Sequence, residues 1–319
     1  GQKMNQHIEK ISNEVKGVIK GKDEVISKVM MAMLAKGNVL LEDVPGVGKT
    51  TMALAFARAM GLDTKRVQFT PDTLPSDIIG FSVYDKETGE LSYKEGAIVT
   101  NLLLADEINR TSSKTQAALL EAMEEKKVTV DGVTRVLPDP FIVLATENPA
   151  GSAGTQMLPN SQLDRFMVKL SIGYPDVESQ AEILADRHTE NPVDKVEQVV
   201  SDEELKEMIQ KANEVYIAKS VYEYIAKLVQ KTREHEMVSL GVSPRGALSL
   251  CQMAKAYAFV NSRDFVTPDD IRAVFADVCG HRLMLNSKAR LNELSAENIL
   301  ADIIKDVEMP AAESFKKML

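Results

Sequence analysis

Residues 40–51 read Leu-Leu-Glu-Asp-Val-Pro-Gly-Val-Gly-Lys-Thr-Thr: an apolar strand ending, a glycine-rich turn, and a Lys-Thr pair that opens a helical run. Gly46 and Gly48 let the backbone wrap close to a polyphosphate so that successive N–H groups point at it. Lys49 then reaches the β- and γ-phosphates, and Thr50 offers a hydroxyl to Mg²⁺. Pro45, Val47 and Thr51 complete the cradle. The helix predicted over 51–60, closed by Gly61, aims the positive end of its dipole at the same phosphates. One position departs from the G-x-x-x-x-G-K-[ST] pattern: Asp43 stands where its first glycine belongs.

Two other apolar stretches end in polar groups suited to the same chemistry. Residues 101–107, Asn-Leu-Leu-Leu-Ala-Asp-Glu, predict a buried strand with two carboxylates at its tip. Asp106 suits the Mg²⁺ shell, through water, and Glu107 suits the base that orients an attacking water. A strand over 141–146 ends at Glu147-Asn148-Pro149. The Asn148 amide could hold that water or sense the γ-phosphate; read alone, it is a turn residue before Pro149. The turn Val18-Ile19 could hold an adenine, or could simply connect two helices.

Positioning these groups requires an ordered scaffold. Helices are predicted at 5–20 and 23–36, the second stopped by Gly37, and a first strand at 38–41. A strand at 66–70 leads to a helix start with Ser76 as its candidate cap. Two hairpins follow, at 81–94 around Glu87-Thr88-Gly89 and at 127–137 around Asp131-Gly132, with an amphipathic helix at 113–125 between them. Short apolar strands alternating with helices, each shedding polar residues at its C-terminal end, predict an α/β fold with an open, mostly parallel sheet. Beyond residue 176 the strand signal stops and helices begin at clear caps: Ser201 with Glu204, Ser243 with Pro244, and Thr267 with Pro268, Asp269 and Asp270. The division expected is a core over 1–173 and an all-helical domain over 174–319.

The chain has 319 residues, 44% hydrophobic and 27% charged, enough for one or two packed domains. No apolar run approaches the ~18 residues of a membrane span, and the first twenty residues lack the core of a secretion signal, so a cytoplasmic protein is expected. Gly1-Gln2-Lys3 precede Met4 and are expected to stand outside the fold. A net charge of −9 with no basic patch argues against a nucleic-acid grip. Cys251 and Cys279 have neither metal nor disulfide spacing, which suits a reducing compartment and buried packing roles. The scattered His7, His188, His235 and His281 are expected to be structural or superficial.

In series, the phosphate cradle, the Asp106-Glu107 strand tip and the Ala-Thr-Glu-Asn-Pro tip make the chain resemble an AAA+ ATPase. The run Leu104-Ala105-Asp106-Glu107-Ile108-Asn109-Arg110, the stretch 116–125, Gln162-Leu163-Asp164-Arg165-Phe166 and Ser243-Pro244-Arg245 resemble the MoxR branch, and the likeness covers about residues 8–310. It implies an αβα core with two inserted hairpins and a helical lid, with ATP and Mg²⁺ bound. Lys49 and Thr50 would be the Walker A residues, Asp106 and Glu107 the Walker B pair, and Asn148 the first sensor. Arg165 would be an arginine finger serving a neighbouring subunit, and Arg245 the second sensor; without the family, Arg165 reads as a surface charge. Arg110 could also face a neighbouring site. Glu147 departs from the glutamine frequent in the family and adds a negative charge there. The hairpins would point toward the pore of a ring, expected to be a homo-hexamer acting as a chaperone on a protein partner with a von Willebrand factor A domain. A nucleotide-gated scaffold with slow hydrolysis, and a chelatase-like or nucleic-acid motor subunit, are the alternatives.

Overall fold

The computed structural model describes residues 2–42, 48–147, 157–186 and 191–316. It begins with helices α1 (Gln2–Val18) and α2 (Asp23–Leu34), strand β1 (Val39–Glu42), helix α3 (Lys49–Met60), strand β2 (Thr64–Gln68) and the short helix α4 (Pro75–Ile79). A hairpin of β3 (Phe81–Tyr84) and β4 (Leu91–Lys94) precedes β5 (Leu102–Asp106) and α5 (Ser113–Glu125). A second hairpin, β6 (Lys127–Val130) and β7 (Val133–Val136), is followed by β8 (Ile142–Glu147), α6 (Asn160–Leu163) and β9 (Val168–Ser171). Helices α7 (Val177–Asp186), α8 (Asp202–Asn213) and α9 (Lys219–Glu234) come next, then strand β10 (Val238–Leu240) and helices α10 (Pro244–Val260) and α11 (Pro268–Cys279). Strand β11 (Met284–Leu285), α12 (Ser287–Leu291) and α13 (Ala296–Asp306) follow.

Five strands form one parallel sheet in the order β2-β5-β8-β1-β9. β5 is buried at every residue, as a strand covered on both faces must be. Its alternation splits the core into two: Leu102 and Leu104 pack with α1 to α3, whereas Leu103 and Ala105 pack with α5 and with Phe69 and Ile78. β2 pairs only with β5 and is partly exposed along its length, consistent with an edge. Each hairpin is a separate two-stranded sheet, and the Arg135 guanidinium of β7 stacks 3.8 Å from the Tyr93 ring of β4, joining them. Among the described residues, no helix is long and apolar enough to cross a membrane.

Several expectations needed correction. Helix α1 starts at Gln2, so Gln2 and Lys3 belong to the first helix, and α3 starts at Lys49 rather than Thr51. Ser76 does not cap α4: Pro75 occupies the first helical turn, Leu74 is the N-cap, and its N–H donates 2.8 Å to the Asp77 carboxylate. The C-terminal region is not all-helical, because β10 and β11 pair antiparallel through Val238–Leu285 and Leu240–Met284. Cys279 is buried, but Cys251 is only half so. The three expected caps hold: Ser201 and Thr267 form capping boxes with Glu204 and Asp270, and the Ser243 hydroxyl accepts from the Gly246 N–H.

The helical region grips the turn between α6 and β9. Arg282, 4% exposed, donates Nε to Asp164 Oδ1 at 2.8 Å, Nη2 to the Asp164 carbonyl at 2.8 Å, and Nη1 to the Met167 carbonyl at 3.1 Å. The neutral His281 ring donates Nε2–H to the Phe166 carbonyl at 2.9 Å. Burial pushes the His281 imidazole down to about 3, and the Arg282 charge acts in the same direction.

Two outcomes are expected. Arg282→Met should lower the unfolding free energy by about 3 kcal/mol in urea melts, since it removes a buried cation from Asp164 and a donor from three carbonyls. The unfolded His281 binds its proton near 6.5 and the folded one only near 3, so stability should fall as the pH drops through that interval. His281→Gln, which keeps a donor for Phe166, should flatten the slope; an unchanged slope would assign the pH dependence elsewhere.

Candidate functional site

Because all five strands are parallel, their C-terminal ends lie along one edge of the sheet, where ligands bind in open α/β folds. β1 lies near its centre, and Gly48 N-caps α3 in the left-handed region, with φ 58° and ψ 4°. That conformation favours glycine. Lys49, Thr50 and Thr51 follow in the first turn, half-buried. Asp43, Pro45, Gly46, Val47 and Asn148 lie outside the described residues.

Beside Gly48 opens a cavity of about 300 Å³ walled by Val18, Ile19, Val25, Met52, Ile172, Tyr174 and Leu184. Its walls come from the α1–α2 turn, α3 and α7, so residues far apart in sequence meet at the cradle. Val18 and Ile19 both line this cavity. An apolar cleft of this size could take a flat heterocycle whose phosphates run to the first turn of α3.

The acidic tip is built by three strands. Asp106 is 6% exposed, and Arg66 from β2 meets its Oδ2 through both Nε and Nη2 at 2.7 Å. Thr146, buried on β8, accepts from the Glu107 N–H at 2.9 Å and donates to Asp106 Oδ1 at 3.5 Å. Glu107 has a left-handed backbone, φ 58°, and its Oε2 accepts from Gln68 Nε2 at 2.7 Å and Arg110 Nη1 at 3.2 Å. Arg110 thus lies against its own Glu107. Asp106 already engages a cation, and hard oxygen donors from Thr50 and Asp106 are the kind that suit Mg²⁺.

The extra charge of Glu147 is compensated. Lys169 on β9 lies 3.0 Å from Glu147 and 3.6 Å from Glu42, which sits at the end of β1 between them. Burial alone would lower the Lys169 pKa; the two carboxylates more than offset it and raise it above the ordinary lysine value.

The two arginines gather elsewhere. Glu124 on α5 lies 3.5 Å from Arg165 Nε and accepts from Arg245 Nη2. Arg245 Nη1 is 3.7 Å from Asp164 Oδ2. Among the described residues, the ion pairs of Arg165 and Arg245 go to Glu124 and Asp164, and neither arginine is paired with Asp106 or Glu107. The predicted site residues therefore fall into two groups. Reading the sequence missed Arg66, Gln68, Glu124, Thr146 and Lys169; only Thr146, polar in an apolar strand tip, carried a local signal.

Comparison with known proteins places this geometry. Residues 38–168 match the ATPase family associated with various cellular activities (AAA), and residues 230–303 match the AAA lid domain. The Uncharacterized protein YeaC of Bacillus subtilis is 47% identical over 96% of this chain and 95% of its own. Chaperone MoxR1 of Mycobacterium tuberculosis is 38% identical over 95% of this chain and 82% of its own. A crystal structure from Cytophaga hutchinsonii, provisionally named an ATPase, superposes with a TM-score of 0.90 at 38% identity, covering 97% of each chain. A five-stranded parallel sheet, with α3 opening at Gly48 after β1, an acidic tip on β5 and a helical lid, therefore has its counterparts in one family: the chain belongs to the MoxR-type AAA+ ATPases.

Proposed function

We propose that the protein is a Mg²⁺-dependent ATPase that works as a ring, a homo-hexamer, and uses hydrolysis to remodel or mature a protein partner in the cytoplasm. The observation that carries the reading is the Asp106–Thr146–Glu107 arrangement on the same sheet edge as the Gly48–Thr51 helix start. In this reading Val18 and Ile19 hold the adenine. Lys49, with the 45–48 turn and Thr51, holds the phosphates. Thr50 and Asp106 hold magnesium, which when bound neutralises charge on the β- and γ-phosphates. Thr146 holds the Asp106 carboxylate and the Glu107 backbone N–H, so the Glu107 carboxylate is placed to take the proton of a water that Asn148 helps to hold.

Arg165 and Arg245 belong, in this reading, to the site of an adjacent copy. Within one subunit they are tied to Glu124 and Asp164, away from the acidic tip. Charge developing on the γ-phosphate then meets its cations only when copies assemble. The core over 1–173 and the lid over 174–319 would act as the two units of each subunit. The hairpins carry exposed Phe81, Tyr84, Leu91 and Val136, which suits contact with a protein, including one with a von Willebrand factor A domain. The net charge of −9 weighs against a nucleic-acid substrate.

A nucleotide-gated scaffold is the second reading, because Glu107 Oε2 already accepts two bonds, from Gln68 and Arg110, and a base so occupied turns over slowly. Measuring ATPase rate against protein concentration, with sedimentation of the same samples, separates the two. Specific activity should rise as a large species forms; a flat rate that no partner raises supports the scaffold.

Lys49→Ala should abolish nucleotide binding, and Glu107→Gln should bind ATP while losing turnover by roughly a hundredfold. Arg165→Ala should bind normally yet turn over about a thousandfold more slowly, and mixing it with Glu107→Gln subunits should restore part of the activity. Full turnover by Arg165→Ala would remove that residue from the site. Lys169→Met, which leaves Glu42 and Glu147 facing each other without a cation, should weaken ATP binding roughly tenfold in equilibrium titrations, and less at high salt.

A further inference from the structure

Glu124 lies in the last turn of α5 and Arg245 in the first turn of α10, so each sits at the helix end whose dipole disfavours its charge. Neither helix supplies compensation, since α5 has no basic residue in its last turn and α10 no acidic residue in its first. The compensation comes across space, with Arg245 Nη2 on Glu124 Oε1 and Arg165 Nε 3.5 Å from Oε2. One carboxylate thus divides its two oxygens between two arginines that are remote in sequence.

The surroundings hold the chain beside Arg165. Asp164, its chain neighbour, accepts from Ser243 Oγ at 2.7 Å and Arg282 Nε at 2.8 Å. Arg165 Nε is buried without a hydrogen bond, and the ion pair of Arg165 among the described residues is with Glu124. Glu124 therefore addresses Arg165 at its stem-side nitrogen, and among the described residues no carboxylate forks its terminal donors. A carboxylate that sequestered the cation would take those terminal nitrogens in a bidentate fork.

Building on the ATPase reading above, we propose that Glu124 is a positioning residue that holds Arg165 and Arg245 side by side as one cationic unit. It touches no nucleotide of its own subunit. Without it, two like charges repel each other and their side chains disperse over several rotamers, so the transition state loses pre-placed cations.

Steady-state ATPase kinetics of the full-length chain at assembling concentrations, with nucleotide titration and thermal melts alongside, test this. Glu124→Ala should reduce kcat roughly ten- to a hundredfold while KM and the melting curve stay within about twofold of the starting protein. Glu124→Gln, which retains an acceptor for Arg245, should recover part of the loss. In an Arg165→Lys background, which keeps a charge but lacks the Nε that Glu124 faces, Glu124→Ala should cost no more than about threefold. An unchanged kcat in Glu124→Ala, or an equal loss in both backgrounds, overturns the proposal. Full turnover by Arg165→Ala instead overturns the assignment of Arg165 itself, so the two failures are distinguishable.

Discussion

A parallel strand covered on both faces has no place for charge until it ends, and in this protein the polar groups emerge together along one sheet edge. Asp106, Glu147 and Glu42 finish three adjacent strands. Asp106 and Glu147 are largely buried, and leaving such a carboxylate without a cation costs several kcal/mol, so each requires a counter-charge; Glu42 is exposed and shares one. Arg66 serves Asp106 from one side, and Lys169 serves Glu147 and Glu42 from the other. Register decides who serves whom: Arg66 and Gln68 are two apart on β2 and share a face, so one reaches Asp106 and the other Glu107. The acidic edge and its cationic flanks are therefore a single electrostatic object, assembled by strand order.

This explains what the sequence made legible. Strands β5 and β8, both hairpins and helix α5 were readable because apolar runs, Asp-Gly turns and caps act within a few residues. The Gly48–Thr51 helix start and the Asp106-Glu107 strand tip stood out because glycine, lysine and paired acids are costly in those contexts. Arg66, Thr146, Lys169 and Glu124 were opaque for the opposite reason. Each is an ordinary residue in an ordinary element, and its role arises from a partner tens of residues away. Ser76 was misjudged because Pro75, with φ already fixed, starts the helix before a serine can cap it.

The second cluster depends on the lid. Asp164, Phe166 and Met167 flank Arg165, and all three are bonded to His281 or Arg282, while Asp164 also accepts from Ser243. At a net ~1 kcal/mol for each hydrogen bond, shifting this segment against the lid would forfeit several kcal/mol. Arg165 and the lid that carries Arg245 are thus mechanically one body. A rotation of the lid carries both guanidinium groups with it, and Glu124, on the core helix α5, is where that body meets the rest of the subunit.

Among the described residues, the acidic edge pairs with Arg66, Arg110 and Lys169, whereas the arginine pair meets Glu124 and Asp164. Each cluster is close to neutral by itself, so electrostatics gives neither a reason to fold onto the other. In the proposed reading, a triphosphate would change that balance by placing several negative charges at the start of α3, more than Lys49 and a divalent ion would offset. The surplus attracts cations whose own segments are pinned to the lid. A second copy can bring such cations to the cradle without breaking the lid bonds of either subunit. This contrast in what must be broken is the physical argument for a site completed between copies.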